Sequence, residues 1–237
     1  MDAPMRVAAT AVVLRDGPAG LQTLLLRRPR TGSFPGAWVF PGGRVDPGDA
    51  AGEPDASAAA ADPGLVPVEP GDGDVPAGEQ EAARNAAVRE TREEAGIRIR
   101  GLRTLSRWVP PAETPARFRT WFFLAREQGD PVRPNAGEIE EAAWLSPAEA
   151  LSRHAAGELT LFPPTWVTLH TLTGRSTVDD AFAHAGAFSR FETRMQRLDE
   201  GLRALWAGDE EHPDAPGAAG ARHRLTMDAL PWIYERS

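Results

Sequence analysis

An α/β fold is predicted for this chain by three stretches. Residues 7–14 and 21–26 are short apolar runs around the turn Asp16-Gly17-Pro18, the pattern of two strands in a hairpin. Residues 79–95 carry Ala83, Ala86, Ala87 and Ala95 on a thin apolar side and end at Gly96, which reads as the glycine just past a helix C-terminus. Ser146-Pro147 sets a hydroxyl cap and a first-turn proline at the head of another helix, running to about Ala156 and stopping at Gly157.

The remaining elements follow in order. Val7, Ala9, Ala11 and Val13 alternate with Ala8, Thr10, Val12 and Leu14, so the first strand is apolar on both sides and buried. Ala37 to Phe40 is a short strand leading into Pro41-Gly42-Gly43, a turn that lets backbone approach a ligand closely. Residues 97–108 form a long strand bent at Arg100-Gly101, and residues 118–124 an aromatic one with Trp121, Phe122 and Phe123. Asn135-Ala136-Gly137 is a turn ahead of a strand at Ala143-Trp144-Leu145, and Pro163-Pro164 starts a helix that ends by Gly174. Val178 to Trp206 is predicted helical with a break near Gly186. Its Phe182, Phe188, Phe191, Met195, Leu198, Leu202 and Leu205 follow 3–4 spacing, a stripe suited to core or to a homodimer face. Residues 207–221 read as a linker, and 223–228 and 230–234 as terminal strands.

Composition narrows the chemistry. There is no cysteine and no lysine, which excludes disulfides, thiolate metal sites, a phosphate-loop lysine and a Schiff-base lysine. The net charge of −8 is local: residues 49–80 hold eight acids and no base, and the other 205 residues balance 26 against 26. No basic footprint marks a nucleic-acid partner. No apolar run near 18 residues marks a membrane span, and no targeting signal is legible, so the expected location is cytoplasmic.

The chemistry gathers at Arg89-Glu90-Thr91-Arg92-Glu93-Glu94-Ala95-Gly96-Ile97. On a helix Glu90, Glu93 and Glu94 share one face, and like charges this close repel. A hard divalent cation held through oxygens would relieve that repulsion. The plainer reading is a solvated acidic face with Arg89 and Arg92 as local partners.

Upstream glycines shift the balance. Gly43, Glu81, Arg89, Glu90, Glu93, Glu94, Gly96 and Ile97 together resemble the Nudix hydrolase signature G-x5-E-x7-R-E-U-x-E-E-x-G-U, with U aliphatic. Thr91 stands where an aliphatic residue is usual. Between Gly43 and Glu81 lie 37 residues rather than five, so an insertion of 32, about 49–80, splits the signature. Its acidic Ala/Gly/Pro-rich composition suits a solvated excursion or a flap beside the site. The segment Leu24 to Gly43 is similar to the one ahead of the signature in Nudix coenzyme A diphosphatases, especially those with a long insertion.

The resemblance implies a Nudix α/β/α sandwich with a mixed sheet over residues 1–162, and a C-terminal helical extension over 163–237 packed on the same domain. It implies metal-dependent hydrolysis of the pyrophosphate of a nucleoside diphosphate linked to another moiety, coenzyme A or acyl-CoA first, giving 3′,5′-ADP and (acyl-)phosphopantetheine. ADP-ribose, NADH and dinucleotides are the alternatives within the class. A non-catalytic nucleotide-binding module is the alternative outside it. Glu90, Glu93 and Glu94 would hold Mg²⁺ or Mn²⁺, with Gly42 as an extra ligand. The general base would come from these glutamates or from Glu138 or Glu141. Arg89 would pair with Glu81 and brace the helix, with Gly43 and Gly96 structural. Arg27, Arg28 and Arg44 would meet substrate phosphates, and Trp38 or Phe118 an adenine ring.

Overall fold

The computed structural model describes residues 5–32, 34–51, 75–115 and 117–237, so most of the predicted insertion lies outside the described residues. The main sheet has eight strands: β1 (Arg6–Gly17), β2 (Gly20–Arg27), β3 (Trp38–Val39), β4 (Gly42–Arg44), β5 (Ile99–Val109), β6 (Phe118–Glu127), β7 (Glu141–Leu145) and β8 (Ser189–Glu192). The path runs β3-β2-β1-β6-β5-β8, with β4 beside β1 and β7 beside β2. β1 is parallel to β6 and β5 to β8, and the other pairs are antiparallel, so the sheet is mixed as expected.

Alternation assigns the two faces. Successive side chains of a strand point to opposite sides of the sheet. Ala9, Ala11 and Val13 of β1, Leu24 and Leu26 of β2, and Trp121 and Phe123 of β6 turn to one face. There they meet Ala83, Ala86, Ala87 and Ala95 of α2 (Glu79–Ala95), whose small side chains let the helix lie close. Val12, Leu14, Leu25, Phe122 and Leu124 turn to the other face, where α3 (Pro147–Ala155) and α4 (Pro163–Leu172) pack through Ala150, Trp166 and Leu169. Helices on both faces complete the expected sandwich. Ser146 caps α3 by accepting from the Glu149 N–H at 3.1 Å. Thr91, in the place of an aliphatic residue, is fully buried, and its hydroxyl donates to the Ala87 carbonyl at 2.7 Å.

The C-terminal part corrects the sequence reading. After α4 comes the short helix α5 (Val178–Ala183), but beyond Gly186 the chain is extended rather than helical. β8 joins the main sheet, and β9 (Arg194–Arg197), β10 (Leu202–Leu205), β11 (His223–Met227) and β12 (Ile233–Arg236) form a second, antiparallel sheet. Burial there follows a period of two instead: Phe191 and Thr193 are buried, and Arg190 and Glu192 between and beside them are exposed. Met195 is 38% and Leu202 40% exposed, so the seven residues do not share a buried face. The Phe191 ring instead stacks on Trp108 of β5, centroids 3.9 Å apart.

Residues 207–221 are not a linker either. Asp209 is fully buried and accepts from Arg224 Nε at 2.6 Å, from the His223 N–H at 2.8 Å and from the Glu211 N–H at 2.9 Å. Burial pushes its carboxyl up, but Arg224 and the His223 and Glu211 N–H groups together outweigh that and hold it down at about 2. The stability it contributes is therefore full above the unfolded carboxylate value of about 4 and is lost as pH falls toward 2. Asp209→Asn leaves the buried Arg224 with Glu211 alone as its counter-charge and is expected to cost about 1.5–3 kcal/mol at pH 7, read as a lower urea midpoint. Among the described residues no helix is long and apolar enough to cross a membrane.

Candidate active site

The C-terminal end of α2 organises the candidate site. Gly96 adopts φ 70°, and its N–H donates to the Arg92 carbonyl at 3.0 Å. The loop after β6 then covers carbonyls that a helix end leaves without partners. Arg133 N–H donates to the Ala95 carbonyl at 2.8 Å and Asn135 N–H to that of Glu94 at 2.9 Å. The turn at Asn135 receives the N–H groups of Glu138 and Ile139, and Ile139 is buried. This docking carries Glu138 to the carboxylates of α2, where its charge raises the pKa of Glu90 and Glu94.

The glycine turn closes the site from the sheet side. β4 lies along β1, pairing Gly42 with Thr10 and Gly43 with Ala9. The Gly42 N–H donates to Glu94 Oε2 at 2.9 Å. A Cβ on Gly43 would fall 2.3 Å from Glu90 Oε1, and one on Gly42 would fall 2.3 Å from the Ala9 carbonyl oxygen. The two substitutions should therefore separate. Gly42→Ala meets backbone and is expected to destabilise by about 1–3 kcal/mol. Gly43→Ala meets the end of a flexible side chain, so the fold should hold while Glu90 is displaced and turnover drops by about a hundredfold. Urea unfolding and initial rates on both variants check this.

Electrostatics are uneven across the three glutamates. Glu94 is 3% exposed, and burial pushes its carboxyl up to about 7 despite the Gly42 N–H and the Arg28 guanidinium 3.6 Å away. Burial also raises Glu90, helped by Glu93 and Glu138 and opposed by Arg89. Glu93 is exposed and bound to Arg89 at 3.0 Å.

Arg89 uses all five of its N–H donors. Nε and Nη2 clamp Asp49 at 3.0 and 2.9 Å, Nη2 also reaches the Arg44 carbonyl, and Nη1 reaches Glu90 and Glu93. Its partner is thus Asp49 and not Glu81, which corrects the expected brace. Asp49 is buried within the short helix α1 (Pro47–Ala51), takes the Asp46 N–H at 2.7 Å, and through its carbonyl receives Asn85 Nδ2 at 2.9 Å. Burial pushes its carboxyl up, but Arg89 and the Asp46 N–H outweigh that and hold it below the usual carboxylate range. The signal was in the sequence: Asp49 stands six positions after Gly43, where G-x5-E places its acid. Another unforeseen residue is the buried Glu79, which accepts from Trp121 Nε1 and Arg119 Nε, both at 2.8 Å, and ties the head of α2 to β6.

Other expected residues stand elsewhere. Arg27 pairs with Glu140 at 3.3 Å and with Glu141 at 3.5 Å, the latter its register partner across β2 and β7. Glu138, not Glu141, therefore joins the α2 carboxylates. Trp38 does not stack on a ligand: it is 4% exposed and packs in the core on the face opposite α2. The exposed Arg44 contributes its carbonyl to Arg89. Gly42 presents its N–H to Glu94.

A hard divalent cation suits these donors in chemistry. They are carboxylate oxygens, and burial first, then their mutual repulsion, holds Glu94 and Glu90 above their ordinary values. Among the described residues no three acidic or histidine side chains converge on one point, and Glu93 is occupied by Arg89.

Comparison with known proteins agrees with the motif. Residues 68–163 match the family model of the NUDIX domain. The structure is similar to the crystal structure of a NUDIX hydrolase from Alicyclobacillus acidocaldarius, at 29% identity and TM-score 0.62, over 80% of this chain and 99% of that one. Similarity extends to a MutT NUDIX hydrolase from Burkholderia pseudomallei (21% identity, TM-score 0.48, 72% of this chain and 100% of that one). It extends also to the NUDIX domain of Shewanella oneidensis NrtR in complex with ADP ribose (14%, 0.49, 71% and 86%). The NUDIX match and the architecture shared with the Alicyclobacillus enzyme support a pyrophosphohydrolase.

Proposed function

We propose that this pyrophosphohydrolase cleaves the diphosphate of coenzyme A or its acyl esters, releasing 3′,5′-ADP and (acyl-)phosphopantetheine. The coarser reading, hydrolysis of nucleoside diphosphates linked to another moiety, follows from the NUDIX domain. The observation that carries the mechanism is the buried Glu94, set between the Gly42 N–H and the Arg28 guanidinium with Glu90 and Glu138 alongside. The narrower substrate rests on the likeness of residues 24–43 to coenzyme A diphosphatases.

Each residue has a task in this reading. Glu90 and Glu94 would hold Mg²⁺ or Mn²⁺, and Glu93 would join them on turning away from Arg89. Held there, such an ion would supply charge neutralisation at the phosphates and a more acidic water. Arg28, whose guanidinium already faces the carboxylates, binds the bridging diphosphate as a planar fork. Glu94 or Glu138 takes the proton of the attacking water. Arg89 touches no substrate. It fixes Glu90 and Glu93 from behind while Asp49 holds it.

The test is Mg²⁺- or Mn²⁺-dependent hydrolysis of coenzyme A, acyl-CoAs, ADP-ribose, NADH, diadenosine polyphosphates and dNTPs, with Glu93→Gln as control. Preference for the coenzyme A compounds, lost in the variant, is the expected result. Preference for ADP-ribose, NADH or a dinucleotide would keep the reaction and discard the substrate. No turnover with either ion would leave a nucleotide-binding module.

A further inference from the structure

After β2 the chain closes a neck between residues 28–29 and 36–37. Arg28 N–H donates to the Ala37 carbonyl at 2.9 Å, and Gly36 N–H to that of Pro29 at 3.0 Å. The neck carries Arg28, whose guanidinium faces Glu94. The tip carries Phe34, which is 52% exposed and adopts φ 54°. Among the described residues it is the one non-glycine residue with positive φ. A bulky aromatic residue rarely adopts that conformation, because its Cβ crowds the following carbonyl. Such strain persists where the surroundings hold it, and it concentrates at ligand sites.

The surroundings here are specific. The Phe34 ring stands edge-on to Phe162, with centroids 4.7 Å apart and planes at 75°. Trp38 N–H, just past the neck, donates to the Thr160 carbonyl at 2.9 Å, which ties this loop to the segment bearing Phe162. One aromatic ring is thus braced from the side and left open to solvent. Six residues of chain, at most about 20 Å even fully extended, separate it from Arg28.

We propose that Phe34, braced by Phe162, is the platform on which the purine base of the substrate stacks, while Arg28 on the same loop meets the diphosphate. This assigns to Phe34 the role that the buried Trp38 does not have, and it rests on the reading that the substrate is a nucleotide diphosphate. A planar base has a π-face for an aromatic ring whatever its hydrogen-bonding edge. Phe34 is therefore a substrate-binding residue and leaves the bond-breaking step to the carboxylates.

The experiment is calorimetric titration of the full chain with AMP and with ribose 5-phosphate, on wild type, Phe34→Ala and Phe34→Trp, alongside kinetics on whichever adenine compound is turned over. The expected result is an AMP Kd about tenfold weaker in Phe34→Ala and within about twofold of wild type in Phe34→Trp. Ribose 5-phosphate affinity should not change, and KM should rise in step with the AMP Kd while kcat holds. Unchanged AMP binding in Phe34→Ala overturns the proposal. So does equal weakening toward ribose 5-phosphate, or a wild type that binds AMP no better than ribose 5-phosphate. Phe34-dependent AMP binding without turnover of any compound would keep the platform and remove the hydrolase reading. Turnover with AMP binding indifferent to Phe34 would do the reverse.

Discussion

Glu94→Gln should lower divalent-ion-dependent turnover by about a hundredfold or more while making the metal-free protein more stable at pH 8. The first half follows from removing a carboxylate from the candidate acid–base and ligand set. The second follows from burial. Glu94 is 3% exposed, and its carboxyl lies at about 7 instead of the ordinary 4.5. The folded state thus holds this proton more tightly than the unfolded chain. The contribution is favourable below the unfolded value of 4.5 and is lost as pH rises through 7. The loss across that window is roughly 3 kcal/mol. Glutamine does not ionise and keeps an oxygen for the Gly42 N–H. Urea unfolding with chelator present, at pH 5 and pH 8, reads the difference: the variant should gain at pH 8 relative to wild type and not at pH 5. An equal shift at both values would mean that the ionised Glu94 carries no burial penalty.

Asp49→Ala should be nearly as damaging to rate and, unlike Glu94→Gln, should also weaken the fold. Asp49 takes two charge-assisted bonds from Arg89, and Arg89 in turn fixes Glu90 and Glu93. Loss of bonds between charged groups in this half-buried setting is expected to cost about 1.5–3 kcal/mol. Turnover should fall at least about tenfold, since small misplacements of reacting groups are costly. A double-mutant cycle with Arg89→Ala gives the decisive reading. The pair should couple by more than about 1 kcal/mol in stability, whereas additive losses would show that the two residues act separately.

Legibility in the sequence followed the range of the forces concerned. The boundaries of α2 were readable because its alanines, its glutamates and Gly96 are all local signals. The same holds for α3, whose cap and first-turn proline adjoin. The Asp49–Arg89 pair was harder, because it joins residues forty positions apart across the insertion. Counting forward from Gly43 would have reached Asp49, whereas counting back from Arg89 gave Glu81. The face taken by Trp38 depends on the register of a two-residue strand against Arg27 of β2, and no local pattern fixes that. Glu138 and Glu141 looked equivalent in the sequence, and only the docking of the Asn135 turn on the α2 carbonyls separates them. Beyond Gly186, apolar residues three and four apart also satisfied strand alternation in part, and pairing of β8 with β5 decided between the two.

The placement of β8 bears on where this protein can be cut. The matched family segment closes at residue 163, and the first sequence-based boundary fell at 162. An excised fragment ending there would lack Phe191, so Trp108 would lose its 3.9 Å stacking partner. The backbone of β5 from Ser106 to Val109 would become an open margin with unpaired donors and acceptors, a template for self-association. The shortest soluble unit of this chain therefore extends to at least Glu192. A preparation that keeps β1 to β7 but ends at residue 163 would be expected to aggregate before its chemistry could be measured.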